Sequence, residues 1–164
     1  MIVTSATLLV TALLFGGMTL YSFGFAAFVF TALPAETAGP LIRKAFPHFY
    51  LFVIAASLAA AIGTGFLDVV SCVVMVLIAA SAIFARQVLM PMINAATDAG
   101  ETKRFKVLHG ASVIITLAHI IASAAVLIRL AVAGVADYSD APEPLCSMRA
   151  AQTFDTLDSG RSAS

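Results

Sequence analysis

The residues of this chain best suited to chemistry are its three histidines and the hydroxyls near them. His109, Ser112, Thr116, His119 and Ser123 recur at spacings of three and four. On a helix turning about 100° per residue they occupy a sector of roughly 80°. The segment around them is mostly Val, Ile, Leu and Ala. A polar stripe on an apolar helix gains nothing from facing lipid, so it should face the neighbouring helices. His119 lies about ten residues into the segment, near mid-membrane at about 1.5 Å per residue. It could ligate a haem or a metal, or relay protons. It could also stay neutral and bond to Ser, Thr or backbone on a neighbouring helix. The second reading is favoured, because no other intramembrane His or carboxylate offers itself as a partner.

His48, His109, Arg86 and Asn94 are expected near one membrane interface. There they could gather around an anion, a lipid headgroup or a metal, although solvation and helix capping account for them more simply. A bis-histidine haem needs two imidazoles facing each other at like depth. His48 with His109 is the one pair that could supply them. No cofactor or metal is expected, and His48, His109 and His119 are the weak candidates if one binds. Gly17, Tyr21, Gly24, Phe28 and Thr31 form a stripe in which the small residues Gly17, Gly24 and Thr31 would let another helix come close. Met90 and Met92 flank Pro91, and Cys72 lies three residues before Met75. Such soft ligands can hold Cu(I), but these fall at opposite ends of one span and read as apolar filler. A Cys72–Cys146 disulfide is disfavoured because Cys72 falls within a helix. There is no nucleophile elbow, phosphate loop or His-Glu-x-x-His, and Asp68 is the only acid between Glu36 and Asp98. Enzyme activity is therefore not expected.

The composition says what must hold these residues. Of 164 residues, 61% are hydrophobic and 11% charged, with a mean hydropathy of +1.02. Soluble domains are nearer half apolar and a quarter charged, and a small one could not cover its surface with so few charges. The expectation is an all-α integral membrane four-helix bundle over residues 1–134. Zero net charge leaves no footprint for nucleic acid. A span needs roughly 20 apolar residues, and stretches at about 5–32, 48–66, 69–90 and 107–128 supply four. Pro40, Arg43, Lys44 and Pro47 predict a short interfacial helix over 34–47. The third span should leave the membrane and kink near Pro91. The fourth should stop near Arg129, with Gly134 as terminator. Residues 135–164 hold Asp137, Asp140, Pro142, Glu143 and Pro144 before a Ser-rich end, and read as a flexible polar tail. Trp is absent, so Tyr21, Tyr50, Tyr138 and Phe residues should form the interfacial belt.

The first charge is Glu36, so the first segment reads as a retained helix rather than a secretory signal. The connections after spans one and three share one side. With the flanking Arg86, that side holds Arg43, Lys44, Lys103, Arg104 and Lys106. The other side has Arg129 as its only basic residue near a span end. The excess of basic residues predicts that connections one and three are cytoplasmic and both termini extracytoplasmic.

Several short motifs, taken together, resemble a known family. They are Phe23-Gly24-Phe25 with Phe28, then Ala38-Gly39 followed by Phe46-Pro47 and Tyr50. Further on come Pro91-Met92-Ile93-Asn94, Phe105, Leu108-His109-Gly110 and Ser112-Val113. Their order and spacing resemble the bacterial family called domain of unknown function 4149, related to transmembrane protein 205, over roughly residues 8–130. The resemblance implies a four-helix protein of a bacterial inner membrane and brings no established reaction. It also implies that Thr116 and His119 stand where relatives often carry Asn and Gln, so His119 is no family-wide ligand and attention moves to Asn94 and His109.

Three functions fit these residues. The favoured one is a structural or accessory subunit that packs in a larger membrane assembly, with lipid and other membrane subunits or a second copy as partners. The second is a component of small-molecule or metal efflux that uses the polar face of the fourth span. The third is a redox protein with a His-ligated cofactor.

Overall fold

In a computed structural model of the chain, residues 2–139 are described. They form four helices, α1 (Ile2–Ala32), α2 (Ala35–Gly65), α3 (Val69–Asp98) and α4 (Thr102–Ser139). Each is long and apolar enough to cross a membrane. The chain is thus a multi-pass helical membrane protein, and its apolar outer surface contacts lipid. One compact unit spans Met1–Ala131, and a second begins at Val132. Residues 140–164, which hold most of the expected tail and Cys146, lie outside the described residues, as does the side chain of Tyr138.

The charges explain how this bundle meets a bilayer. Residues 45–67 and 107–128 carry no Asp, Glu, Lys or Arg, a length of about 33 Å at 1.5 Å per residue. That matches a hydrocarbon core of about 30 Å. An ion pair marks each border of the belt. At one end Arg43 of α2 meets Asp98 of α3 at 2.8 Å. At the other, Arg129 of α4 meets Asp68, in the turn between α2 and α3, at 3.0 Å. Arg86 is the one charge inside the belt, about 25 Å along α3 from Asp68.

Packing is closest between α2 and α3, then between α1 and α2. Small residues explain this. α2 presents Ala56, Ser57, Ala60, Ala61 and Thr64 inward, and α3 presents Ser71, Ala79, Ala82 and Ala85 around Met75. With no hydrophobic drive between helices in lipid, close backbone approach supplies the dispersion contact that holds them. The buried hydroxyls are satisfied along their own helices. Ser57 donates to the Val53 carbonyl at 2.6 Å, Thr64 to Ala60 at 2.9 Å and Thr11 to Thr7 at 2.8 Å. α4 lies farther out, contributing Ile120, Val126 and Leu130 to the core.

Several boundaries differ from the sequence expectation. No separate interfacial helix precedes the second span, because residues 35–47 are the first turns of α2, with Pro40 and Pro47 inside it. Each proline removes one backbone hydrogen bond, a loss that the long helix on either side absorbs. α1 and α3 each contain a π-helical turn, Leu20–Phe25 and Ala85–Leu89. The second lies just ahead of Pro91, where a kink was expected. α3 runs on to Asp98, and α4 starts at Thr102 and passes both Arg129 and Gly134. The α3–α4 turn needs Gly100, whose φ of +66° only glycine adopts freely. Residues 135–139, assigned to the tail, are helical.

Candidate functional site: a cleft inside the membrane belt

Because α4 stands off, a cleft of about 930 Å³ opens among the four helices at the Arg43–Asp98 end. α1 lines it from Ser22 to Phe30, α2 from Gly39 to Tyr50, α3 from Met90 to Asp98 and α4 from Phe105 to Leu117. Its extent along α4 is about 18 Å, so the floor reaches roughly the middle of the belt.

The cleft has a polar mouth and an apolar floor. Arg43, Asp98, Thr97, Asn94 and His109 line the outer part, and Phe23, Tyr50, Met90 and Leu117, with the hydroxyl residues Ser22 and Thr116, the inner part. Two polar groups at the mouth make no hydrogen bond to the described residues. They are the Asn94 amide, half-buried, and the His109 ring, which is exposed and stacks on Phe105 at 5.4 Å between centroids. The hydroxyl protons nearby are already committed. Ser112 donates to the His109 carbonyl at 2.8 Å, Thr116 to Ser112 at 2.9 Å and Thr97 to Ile93 at 2.8 Å.

The polar stripe of α4 divides by depth. Ser112, His119 and Ser123 are buried and Thr116 half-buried, as a core-facing stripe requires. His109 departs from that expectation, because α4 has no neighbour over it at the mouth. His119 lies below the cleft, and its Nε2 is 2.7 Å from the Ser81 hydroxyl of α3. Ser81 also donates to its own helix at 2.6 Å from the Leu77 carbonyl.

The expected interfacial cluster is only partly assembled. Asn94 and His109 share the cleft, whereas His48 and Arg86 do not line it. His48 is exposed on α2, with Nδ1 3.1 Å from the Lys44 carbonyl. It therefore does not join His109 as a second ligand. Among the described residues no three His, Cys, Asp or Glu side chains gather as metal ligands. Cys72 is a half-buried free thiol.

The small-residue stripe of α1 also resolves differently. Gly17 packs within the bundle, where a Cβ would stand 2.6 Å from the Phe52 ring. A Cβ at Gly24 would meet only Leu20 of its own helix. Thr31 is exposed and bonds to the Ala27 carbonyl at 2.9 Å, and Phe28 faces outward. Tyr21 and Tyr50 are not a surface belt but part of an inner aromatic cluster. Tyr21 stacks on Phe49 at 4.5 Å, and Tyr50 is only 5% exposed. Among the described residues, the Tyr21 hydroxyl and Arg86 Nε are buried without a hydrogen-bond partner, each on a π-helical turn. Such turns re-aim side chains away from the regular helical register.

Neither ion pair is evident from single residues, yet both have a signal in the sequence. Charges of opposite sign stand near facing span ends, Arg43 with Asp98 and Asp68 with Arg129. Asp68 caps α3, accepting from the Val70 and Ser71 backbone at 3.3 and 3.2 Å and from the Ser71 hydroxyl at 2.5 Å. The Ser71 hydroxyl, and then Arg129, hold the Asp68 carboxyl down at a pKa of about 2.

With this geometry in hand, one comparison is informative. The chain matches the family described as Domain of unknown function (DUF4149) over residues 9–102. It belongs to that family. The matched region ends where α4 begins, so the Leu108-His109-Gly110 motif and the polar stripe lie beyond it. No curated protein and no solved structure matches the chain.

Proposed function

We propose that this membrane protein works by binding, taking a small molecule from the bilayer into the cleft among its four helices. It acts as a component of small-molecule handling at the membrane rather than as an enzyme. The observation that carries this reading is the cleft itself, lined by all four helices and graded from polar mouth to apolar floor. Its volume falls within the range of roughly 300–1,000 Å³ common for ligand pockets. The accessory-subunit reading has less support, because Gly17 is spent on packing inside the bundle. The excess of basic residues at the mouth supports a cytoplasmic mouth in a bacterial inner membrane, with both termini on the opposite side.

The chain has no Trp, so one introduced Trp reports alone. Leu117→Trp puts it at the cleft floor, and Ile121→Trp puts it on an exposed surface one turn below. A bromododecyl maltoside probe added to phosphatidylcholine vesicles should quench the first saturably and the second in simple proportion to its membrane concentration. Proportional quenching at both positions would sink the binding role.

A further inference from the structure

We infer that the cleft selects an amphiphile with an anionic head, which rests on the binding role just proposed. The head is assigned by what the mouth has left to offer. Asn94 and His109 present hydrogen-bonding groups with no partner among the described residues, and both line the cleft. The Asn94 amide carries two N–H groups, and an imidazole always carries at least one. Arg43 adds a guanidinium, of which one nitrogen is engaged by Asp98 at 2.8 Å. The Thr97, Ser112 and Thr116 hydroxyl protons go to their own helices, which leaves the N–H groups as donors at the mouth. The Asn94 oxygen and the hydroxyl lone pairs can accept, but the guanidinium beside them favours a carboxylate or phosphate over an ammonium.

The wider charge pattern agrees. Around the mouth, Lys44, Lys103 and Lys106 are exposed and form no ion pair among the described residues, against Glu36 as the only unpaired acid. Asp98 is the single carboxylate lining the cleft, and it is already spent on Arg43. An incoming anion would take its place on Arg43. That makes Asp98 a stand-in for the ligand head, holding the arginine in position across the mouth. The tail is assigned by depth. From mouth to floor the cleft runs about 18 Å along α4, half of the roughly 30 Å hydrocarbon core. A chain lying there spans one leaflet. Its walls are Phe23, Phe30, Phe46, Met90 and Leu117.

The test uses the full chain with Leu117→Trp in phosphatidylcholine vesicles and displaces the brominated probe with three molecules sharing a dodecyl tail. These are dodecyl phosphate, dodecyltrimethylammonium and dodecyl maltoside. Dodecyl phosphate should displace the probe at the lowest concentration. Arg43→Gln should weaken it about fivefold, the effect of one basic residue near a membrane surface, and leave the maltoside unchanged. Asp98→Asn should instead tighten dodecyl phosphate, because it frees Arg43. Saturable quenching with equal displacement by all three heads would overturn the anion assignment and leave the binding role standing. So would a preference for the ammonium, or a loss in Asp98→Asn equal to that in Arg43→Gln. Absence of saturable quenching would remove the binding role itself.

Discussion

At the scale of the residue, this bundle places its few polar side chains by depth. His119, at the centre, meets one serine across the helix interface. Charges stand at the borders of the belt, and there Asp68 has the most to do. It caps α3 and ties α4 to the α2–α3 turn through Arg129. Its carboxyl is held at a pKa of about 2 in the folded protein, against roughly 3.9 when unfolded. The folded state therefore prefers the carboxylate. The resulting stability is fully present above about pH 4 and is lost as the pH falls toward 2. The midpoint of thermal unfolding in detergent should drop over that window, and Asp68→Asn should flatten the drop while lowering the midpoint at neutral pH. An equally steep acid limb in the variant would remove Asp68 as its source.

At the scale of the element, close approach of α1 to α2 depends on where a glycine stands. A Cβ at Gly63 would collide with the Thr7 side chain, which is buried and bonded to the Val3 carbonyl at 2.7 Å. A Cβ at Gly17 would meet only the outer atoms of the Phe52 ring, which can turn aside. Gly16 has open space around it. Replacement by Ala should thus rank in order of damage as Gly63, Gly17, Gly16. Gly63→Ala should cost about 1–3 kcal/mol from overpacking, and Gly16→Ala should be neutral or stabilising through helix propensity. Unfolding by a denaturing detergent reads the order. A Gly16 variant as damaging as the Gly63 variant would refute the packing described for α1. The four apolar stretches were legible because lipid requires length and apolarity of any span. The length of α2 was not, because Pro40 and Pro47 look like breaks until the turns on either side are seen to hold.

At the scale of the whole molecule, charge-free runs of about 33 Å in α2 and α4, bordered by charges, match the hydrocarbon core of a bilayer. Which border faces the cytoplasm follows from basic residues, a rule of insertion rather than of packing. With Cys72 and Cys146 replaced, Lys103→Cys should react only with reagents on the cytoplasmic side and Phe66→Cys only from the opposite side. The reverse pattern would turn the mouth of the cleft outward. The cleft exists at this scale alone. It forms because small residues draw α1, α2 and α3 together while α4 keeps its distance, held at its far end by Arg129 and Asp68.

By itself the sequence determined that this chain is a helical membrane protein of four spans, with a polar stripe on the last. Composition and run length decide those things without reference to any partner residue. Tertiary structure alone decided which polar groups meet. The spacing from His109 to Ser123 told only that they share a helical face. It took the position of α3 to pair His119 with Ser81, and the position of α2 to leave His48 outside. Asn94 and His109 share a cleft because α3 and α4 turn back at Gly100 and then diverge, an outcome of packing between helices that no single helix encodes.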